Sequence, residues 1–151
     1  MSYSTVKDIL NLAQKLHHQA SILFDQLRDS TQKERVDMVM KLLATHEEQQ
    51  SLALQRVASD VRESVMNEWH QLEPADLADI LEDCQACQPD MSAEELVNVA
   101  LKINDYLISL YKGMAAEAGS DASRTLFEGL ADLENHQKQV TVRSALSVSD
   151  W

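Results

Sequence analysis

The sequence predicts an all-α protein, an antiparallel four-helix bundle built from two helical hairpins joined by a long crossover that contains a short helix. Three observations carry that expectation. Glycine (3) and proline (2) are too scarce in 151 residues to supply the turns of a β-sandwich or barrel. Alanine, leucine, glutamate, glutamine, methionine and aspartate dominate, and most of these favour helices. Apolar residues also recur every three or four positions along four long stretches. The length suits a single domain, 1–151, large enough to bury a continuous core.

The first helix is expected over 4–29, with Val6, Ile9, Leu10, Ala13, Leu16, Ala20, Leu23, Phe24 and Leu27 at helical spacing. Thr31-Gln-Lys-Glu34 has the form of a capping box and starts a second helix after one short turn, which implies an antiparallel hairpin. That helix carries Val36, Met40, Leu43, Leu54, Val57, Val61 and Val65. It meets no breaker before Glu73-Pro74, so it is expected to reach Leu72 and to close the first hairpin at 4–72.

The crossover, 73–91, holds "PADLADILEDCQAC", a short helix begun by Pro74 in a position suited to a first helical turn. It is expected to fold back over Val61, Val65 and Trp69, which an overhanging second helix would leave as an apolar strip fit for a partner. A second capping box, Ser92 to Glu95, opens the third helix and Gly119 closes it. The fourth starts at Ser120 or Asp121 and reaches about Ser147, giving a second hairpin over 92–147. The final "SVSDW" reads as a loose tail whose Trp151 has room to dock.

A formal net charge of −12 repels phosphate backbones and anionic lipid, so neither nucleic acid nor a membrane surface is an expected partner. No stretch approaches the roughly 18–20 apolar residues of a membrane span. "MSYSTVKDIL" lacks the basic and apolar regions of a secretory signal, so a soluble cytoplasmic protein is expected. Its two cysteines, Cys84 and Cys87, should then be reduced. Their "CQAC" spacing has neither a βαβ context nor a second ligand pair beside it, and plain thiols are the expectation over a regulatory disulfide or metal binding. Neither a nucleophile elbow nor a glycine-rich phosphate loop is present.

Two segments are variants of each other. "LLATHEEQQ" (42–50) and "GLADLENHQ" (129–137) share leucine, alanine, glutamate and glutamine in the same cadence. Glu134 lies 87 positions after Glu47, and at that offset Ala13 falls on Ala100, Leu23 on Leu110, Phe24 on Tyr111, Leu43 on Leu130 and Gln50 on Gln137. The matches concentrate on the apolar stripes. Steps of three and four along those stripes then meet a polar residue midway along each helix. His17, Glu47, Gln50, Asn104, Glu134 and Gln137 are thereby expected at one level of the bundle.

This layout resembles the ferritin-like superfamily, above all its rubrerythrin-type members. There the first and third helices each give a glutamate and the second and fourth each give Glu-x-x-His, holding two irons. The resemblance maps Glu47 and Glu134 onto the bridging carboxylates. His17 and Asn104 stand at the terminal glutamate positions, and Gln50 and Gln137 at both histidine positions. Neutral amides are poor ligands for iron or zinc, so the di-iron set is degenerate. His46 sits beside Glu47 and His136 close after Glu134, neither at i+3 or i+4 and so off the glutamates' face of the helix, and both are expected on the surface or flank.

The resulting expectation is a non-enzymatic helical protein with no cofactor, whose polar residues bond one another inside the core. It would act as an interaction or scaffold protein through a homodimer or another protein partner. The alternative is a protein or oxidoreductase holding one Fe, Mn or Zn ion at His17, Glu47 and Glu134.

Overall fold

A computed structural model describes residues 2–72, 74–88 and 90–149. Among them the chain forms six helices and one two-stranded sheet, in the order β1 (Ser2–Thr5), α1 (Val6–Arg28), α2 (Glu34–Asp60), α3 (Glu63–Met66), β2 (Trp69–Leu72), α4 (Pro74–Gln85), α5 (Ala93–Ala116) and α6 (Asp121–Ser149). The predominance of helix is as expected. Met1, Glu73, Pro89, Asp150 and Trp151 lie outside the described residues, so neither the turn at Pro89 nor the docking of Trp151 is addressed.

Thr5 ends β1 and caps α1. Its hydroxyl accepts from the Asp8 N–H at 3.2 Å, while the Asp8 carboxylate accepts from the Thr5 N–H at 3.3 Å, a reciprocal capping box. Removing a cap of this kind costs about 0.5–2 kcal/mol. A Thr5→Ala variant should therefore lower the urea midpoint by a matching amount with the slope unchanged; an unmoved midpoint would show that β1 alone fixes the start of α1. The equivalent cap on α5 is formed by Ser92, whose hydroxyl accepts from the Glu95 N–H at 3.1 Å.

The expected box at Thr31 does not form. α2 starts at Glu34 with Lys33 as an uncapped N-cap, and the Thr31 hydroxyl accepts from the Lys33 N–H instead. Thr31 sits too early in the turn to reach the helix.

α1 packs on α2 and α5 on α6, with α2 also touching α5 and α6. Pairs between α1 and α2 run in opposite order: Arg28 with Asp37, Ser21 with the Ala44 carbonyl, His17 with Glu47, and Ser51 with the Gln14 carbonyl. The buried apolar faces read from the sequence fill the space between. Ile9, Leu10, Leu16, Phe24, Met40, Leu43, Leu54, Leu96, Ile103, Leu107 and Phe127 are each at most 2% exposed.

The second helix ends at Asp60, twelve residues before the expected Leu72. Val61 is already extended, with φ −79° and ψ 133°, and a short α3 and β2 follow. β2 pairs antiparallel with β1, Thr5 opposite Trp69 and Ser2 opposite Leu72. The Val6 N–H extends the pairing to the Glu68 carbonyl at 2.9 Å. The partner of residues 69–72 is thus a segment more than sixty positions away in sequence, and no local breaker announces the change.

This ribbon is tied across the α5–α6 turn. The Ser120 hydroxyl donates to the Glu68 carboxylate at 2.8 Å, and a Cβ on Gly119 would lie 3.1 Å from that carboxylate. Gly119 is therefore a close-approach position; α5 itself ends at Ala116 with Glu117 as C-cap, short of the glycine expected to close it. Of the three residues expected in an apolar strip, Val65 is buried, Val61 is half-buried and Trp69 is 68% exposed.

Candidate functional site

Five of the six polar residues expected at one level do meet, inside the core and on four different helices. His17 (α1), Glu47 and Gln50 (α2), Asn104 (α5) and Glu134 (α6) are each at most 4% exposed. The imidazole of His17 lies between the two carboxylates. Nδ1 donates to Glu47 Oε2, and Nε2 stands 3.1 Å from both oxygens of Glu134. Gln50 Nε2 donates to Glu134 Oε2 at 3.1 Å and Asn104 Nδ2 to Glu134 Oε1 at 2.8 Å. Glu134 is the hub, accepting from three of the other four.

The sixth residue departs from expectation. Gln137 is only half-buried, and its Nε2 has no hydrogen-bond partner among the described residues. The 87-residue echo read from the sequence recurs in two contacts. His17 meets Glu47 at a separation of 30 residues and Asn104 meets Glu134 at the same separation, 87 positions later.

Electrostatics follow from burial. Desolvation alone would pull the His17 pKa down, but Glu134 and then Glu47, through charge and hydrogen bonds, overcome it and hold it at about 10. His17 is then an imidazolium at neutral pH, clasped by two carboxylates. Burial pushes the Glu47 carboxyl up, against the opposing pull of His17.

Around this cluster the polar groups are sparse. The Tyr111 ring is fully buried, its hydroxyl has no partner among the described residues, and burial together with Glu134 raises its pKa well above the usual tyrosine value. Phe127 lies beside it at 6.2 Å between centroids and takes the His70 ring edge-on at 5.4 Å. His46, expected on the surface or flank, is buried instead: its Nδ1 is hydrogen-bonded to the Thr141 hydroxyl at 3.1 Å, and burial lowers its pKa. The signal for this was present in Thr141, a polar residue on the inner stripe of α6. His136 is exposed, as expected.

Cys84 and Cys87 are free and buried. Burial, with Cys87, Glu47 and Asp83 adding to it, pushes the Cys84 thiol up to about 12, so it is a poor nucleophile at neutral pH. α4 thereby seats a thiol within electrostatic reach of Glu47, beside an open groove of about 290 Å³ lined by Leu16, Ala20 and Leu23.

The donor set does not fit the two-metal arrangement that a ferritin-like resemblance implies. Only two carboxylates are present, and the amides of Gln50 and Asn104 turn their N–H groups, not their oxygens, towards Glu134. For a single ion, both ring nitrogens of His17 already face separate carboxylates, so ligation requires the ring to give up one of them. Among the described residues no group of three or more His, Cys, Asp or Glu side chains has the disposition of a metal site. No helix of the described residues is long and apolar enough to cross a membrane.

The chain matches no family model, and no curated protein matches it.

Proposed function

We propose that this chain is a non-enzymatic, ferritin-like antiparallel four-helix protein in which the position of a di-iron site has become a hydrogen-bonded polar core, and that it works as an interaction or scaffold protein. The observation that supports this best is the filling of Glu134. One imidazole and two amides donate to it, so its lone pairs serve protein donors. Opposite ordering of the α1–α2 pairs and the 87-residue echo between hairpins support the bundle and its kinship with duplicated helical hairpins.

A buried charged cluster of this type is weak as a source of stability, and its best-attested use is to fix which surfaces meet and in what register. The acidic surface, at −12, favours protein partners over nucleic acid or anionic lipid. Nothing among the described residues combines an activated nucleophile with a base and an open cleft.

Convergence of His17, Glu47 and Glu134 also supports the second reading, a protein or oxidoreductase using one Fe, Mn or Zn ion. Metal content separates the two. The untagged protein, produced in medium supplemented with iron, manganese and zinc, is analysed by inductively coupled plasma mass spectrometry beside Glu47→Ala/Glu134→Ala. The polar-core reading expects no stoichiometric metal in either sample. Near one ion per chain, lost in the double variant, would overturn it in favour of the mononuclear reading.

A further inference from the structure

Cys84 and Cys87 stand where the crossover helix runs out. α4 ends at Gln85, and its last turn tightens there: the Ala86 N–H donates to the Glu82 carbonyl at 2.9 Å, four residues back, but the Cys87 N–H donates to the Cys84 carbonyl at 3.3 Å, three back. A turn closed by such a bond keeps its end Cα atoms within about 7 Å of each other. A disulfide spans Cα atoms about 4.4–6.8 Å apart. Residues three apart on a helical turn also share a face, and both cysteines turn to the core, each 5% exposed. Their sulfurs are within electrostatic reach, since Cys87 is among the groups that push the Cys84 thiol up.

Other uses of the pair are closed off. A structural zinc or an iron–sulfur cluster takes four ligands. Among the described residues no group of three His, Cys, Asp or Glu is disposed to hold a metal. Burial keeps both sulfurs from those of another chain. The Cys87 Sγ donates to the Asp83 carbonyl at 3.7 Å, a weak bond that is given up at little cost.

We propose that Cys84 and Cys87 form a reversible redox pair, oxidised to an intrachain bridge by a small disulfide such as glutathione disulfide whenever the last turn of α4 opens. Opening is built into the position. α4 has twelve residues, too few to hold a helix without packing, and helix ends are the first part to fray. In the open state one cysteine thiolate attacks a sulfur of the oxidant, forming a mixed disulfide and expelling one glutathione thiolate. The second cysteine, one turn away, then attacks the cysteine sulfur of that mixed disulfide and expels the other. Two electrons pass to the oxidant, and the two cysteine protons end on the two glutathione thiols.

Burial slows this exchange and also sets its direction. Desolvation raises both thiols, so the closed fold stabilises neither thiolate. A reduced form without that stabilisation leaves a disulfide that resists reduction. Once formed, the bridge pins the end of α4 against α1 and α5, the helices it packs on. The pair lies outside the polar core and stands independently of the function proposed above.

The full chain, native and in urea, is incubated in anaerobic glutathione buffers running from wholly reduced to wholly oxidised. Samples are quenched with iodoacetamide and weighed intact by mass spectrometry. The expected product in oxidised buffer is a monomer two hydrogen atoms lighter that takes up no alkyl group, returned by dithiothreitol to two alkylated thiols. A thiol at about 12 in place of 9.0 holds about a thousandth of the usual thiolate, so native closure should run up to about a thousandfold slower than closure in urea. Amide exchange over 82–88 should slow once the bridge forms, with helical circular dichroism unchanged. Cys84→Ser and Cys87→Ser should each stop at one bound glutathione.

A native chain that stays reduced in oxidised buffer while the urea-unfolded chain closes would overturn the proposal. So would a wild-type product that keeps glutathione or links two chains, native closure as fast as closure in urea, or a bridge that forms only with loss of helix.

Discussion

Replacing Glu134 by methionine is expected to cost about 3–5 kcal/mol, the penalty for breaking a buried ion pair from one side. Three donors lose their acceptor together: the His17 imidazolium and the amides of Gln50 and Asn104, all at most 3% exposed. A domain of this size has roughly 5–15 kcal/mol in total, so the variant should melt far below the parent. The informative comparison replaces the whole cluster, with leucine at His17 and Asn104 and methionine at Glu47, Gln50 and Glu134. Its volume is nearly conserved and no donor is left unpaired, so it should recover most or all of the loss. Urea denaturation followed at 222 nm reads both. A fivefold variant as unstable as the single one would mean that the cluster supplies net stability, contrary to the register role argued for it.

The second large effect is on pH. His17 has an ordinary pKa of 6.5 and is held at about 10 in the fold. The folded state therefore grips this proton more tightly than the unfolded chain. The stabilisation is fully present below pH 6.5 and is lost as pH rises through about 10. Glu47, raised above its ordinary 4.5 by burial, acts with the same sign. Unfolding free energy should thus fall between pH 6.5 and 10 with a slope of up to about 1.4 kcal/mol per pH unit. The fivefold apolar variant, lacking the imidazole, should lose this component of the slope and keep only what general charge repulsion contributes. Parallel curves for the two proteins across that window would remove the imidazolium from the account.

Helix positions and the inner stripes were legible because they are local. Val6, Ile9, Ala13 and Phe24 on α1 and Leu96, Ala100, Ile103 and Leu107 on α5 follow a 3.6-residue period and are buried as that period demands. The same counting placed His17, Glu47, Gln50, Asn104 and Glu134 at one depth. What it could not provide was which donor faces which acceptor, since that depends on the separation of helices and on rotamers. Gln137 shows the limit: its register matches Gln50, yet the residue is only half-buried and its Nε2 has no partner among the described residues. The end of α2 was illegible for another reason. Residues 61–72 contain no glycine or proline, and only pairing with Ser2–Thr5 turns Trp69–Leu72 into a strand. The Thr31 box failed because a four-residue pattern carries no information about where the turn before it ends.

The lopsided chemistry of the two hairpins sets which halves can live together. The first brings a cation, His17, beside Glu47; the second brings Glu134 beside an amide, Asn104. Two first halves joined would trap a pair of imidazoles with no Asn104 to complete the ring of donors. Two second halves would press one Glu134 against another with no cation between them. The unlike pairing sets one buried cation between two carboxylates, with the amides of Gln50 and Asn104 donating to Glu134. Two near-alike segments thus differ where they meet, a cation on one side and an amide on the other, and that difference selects unlike halves over like ones.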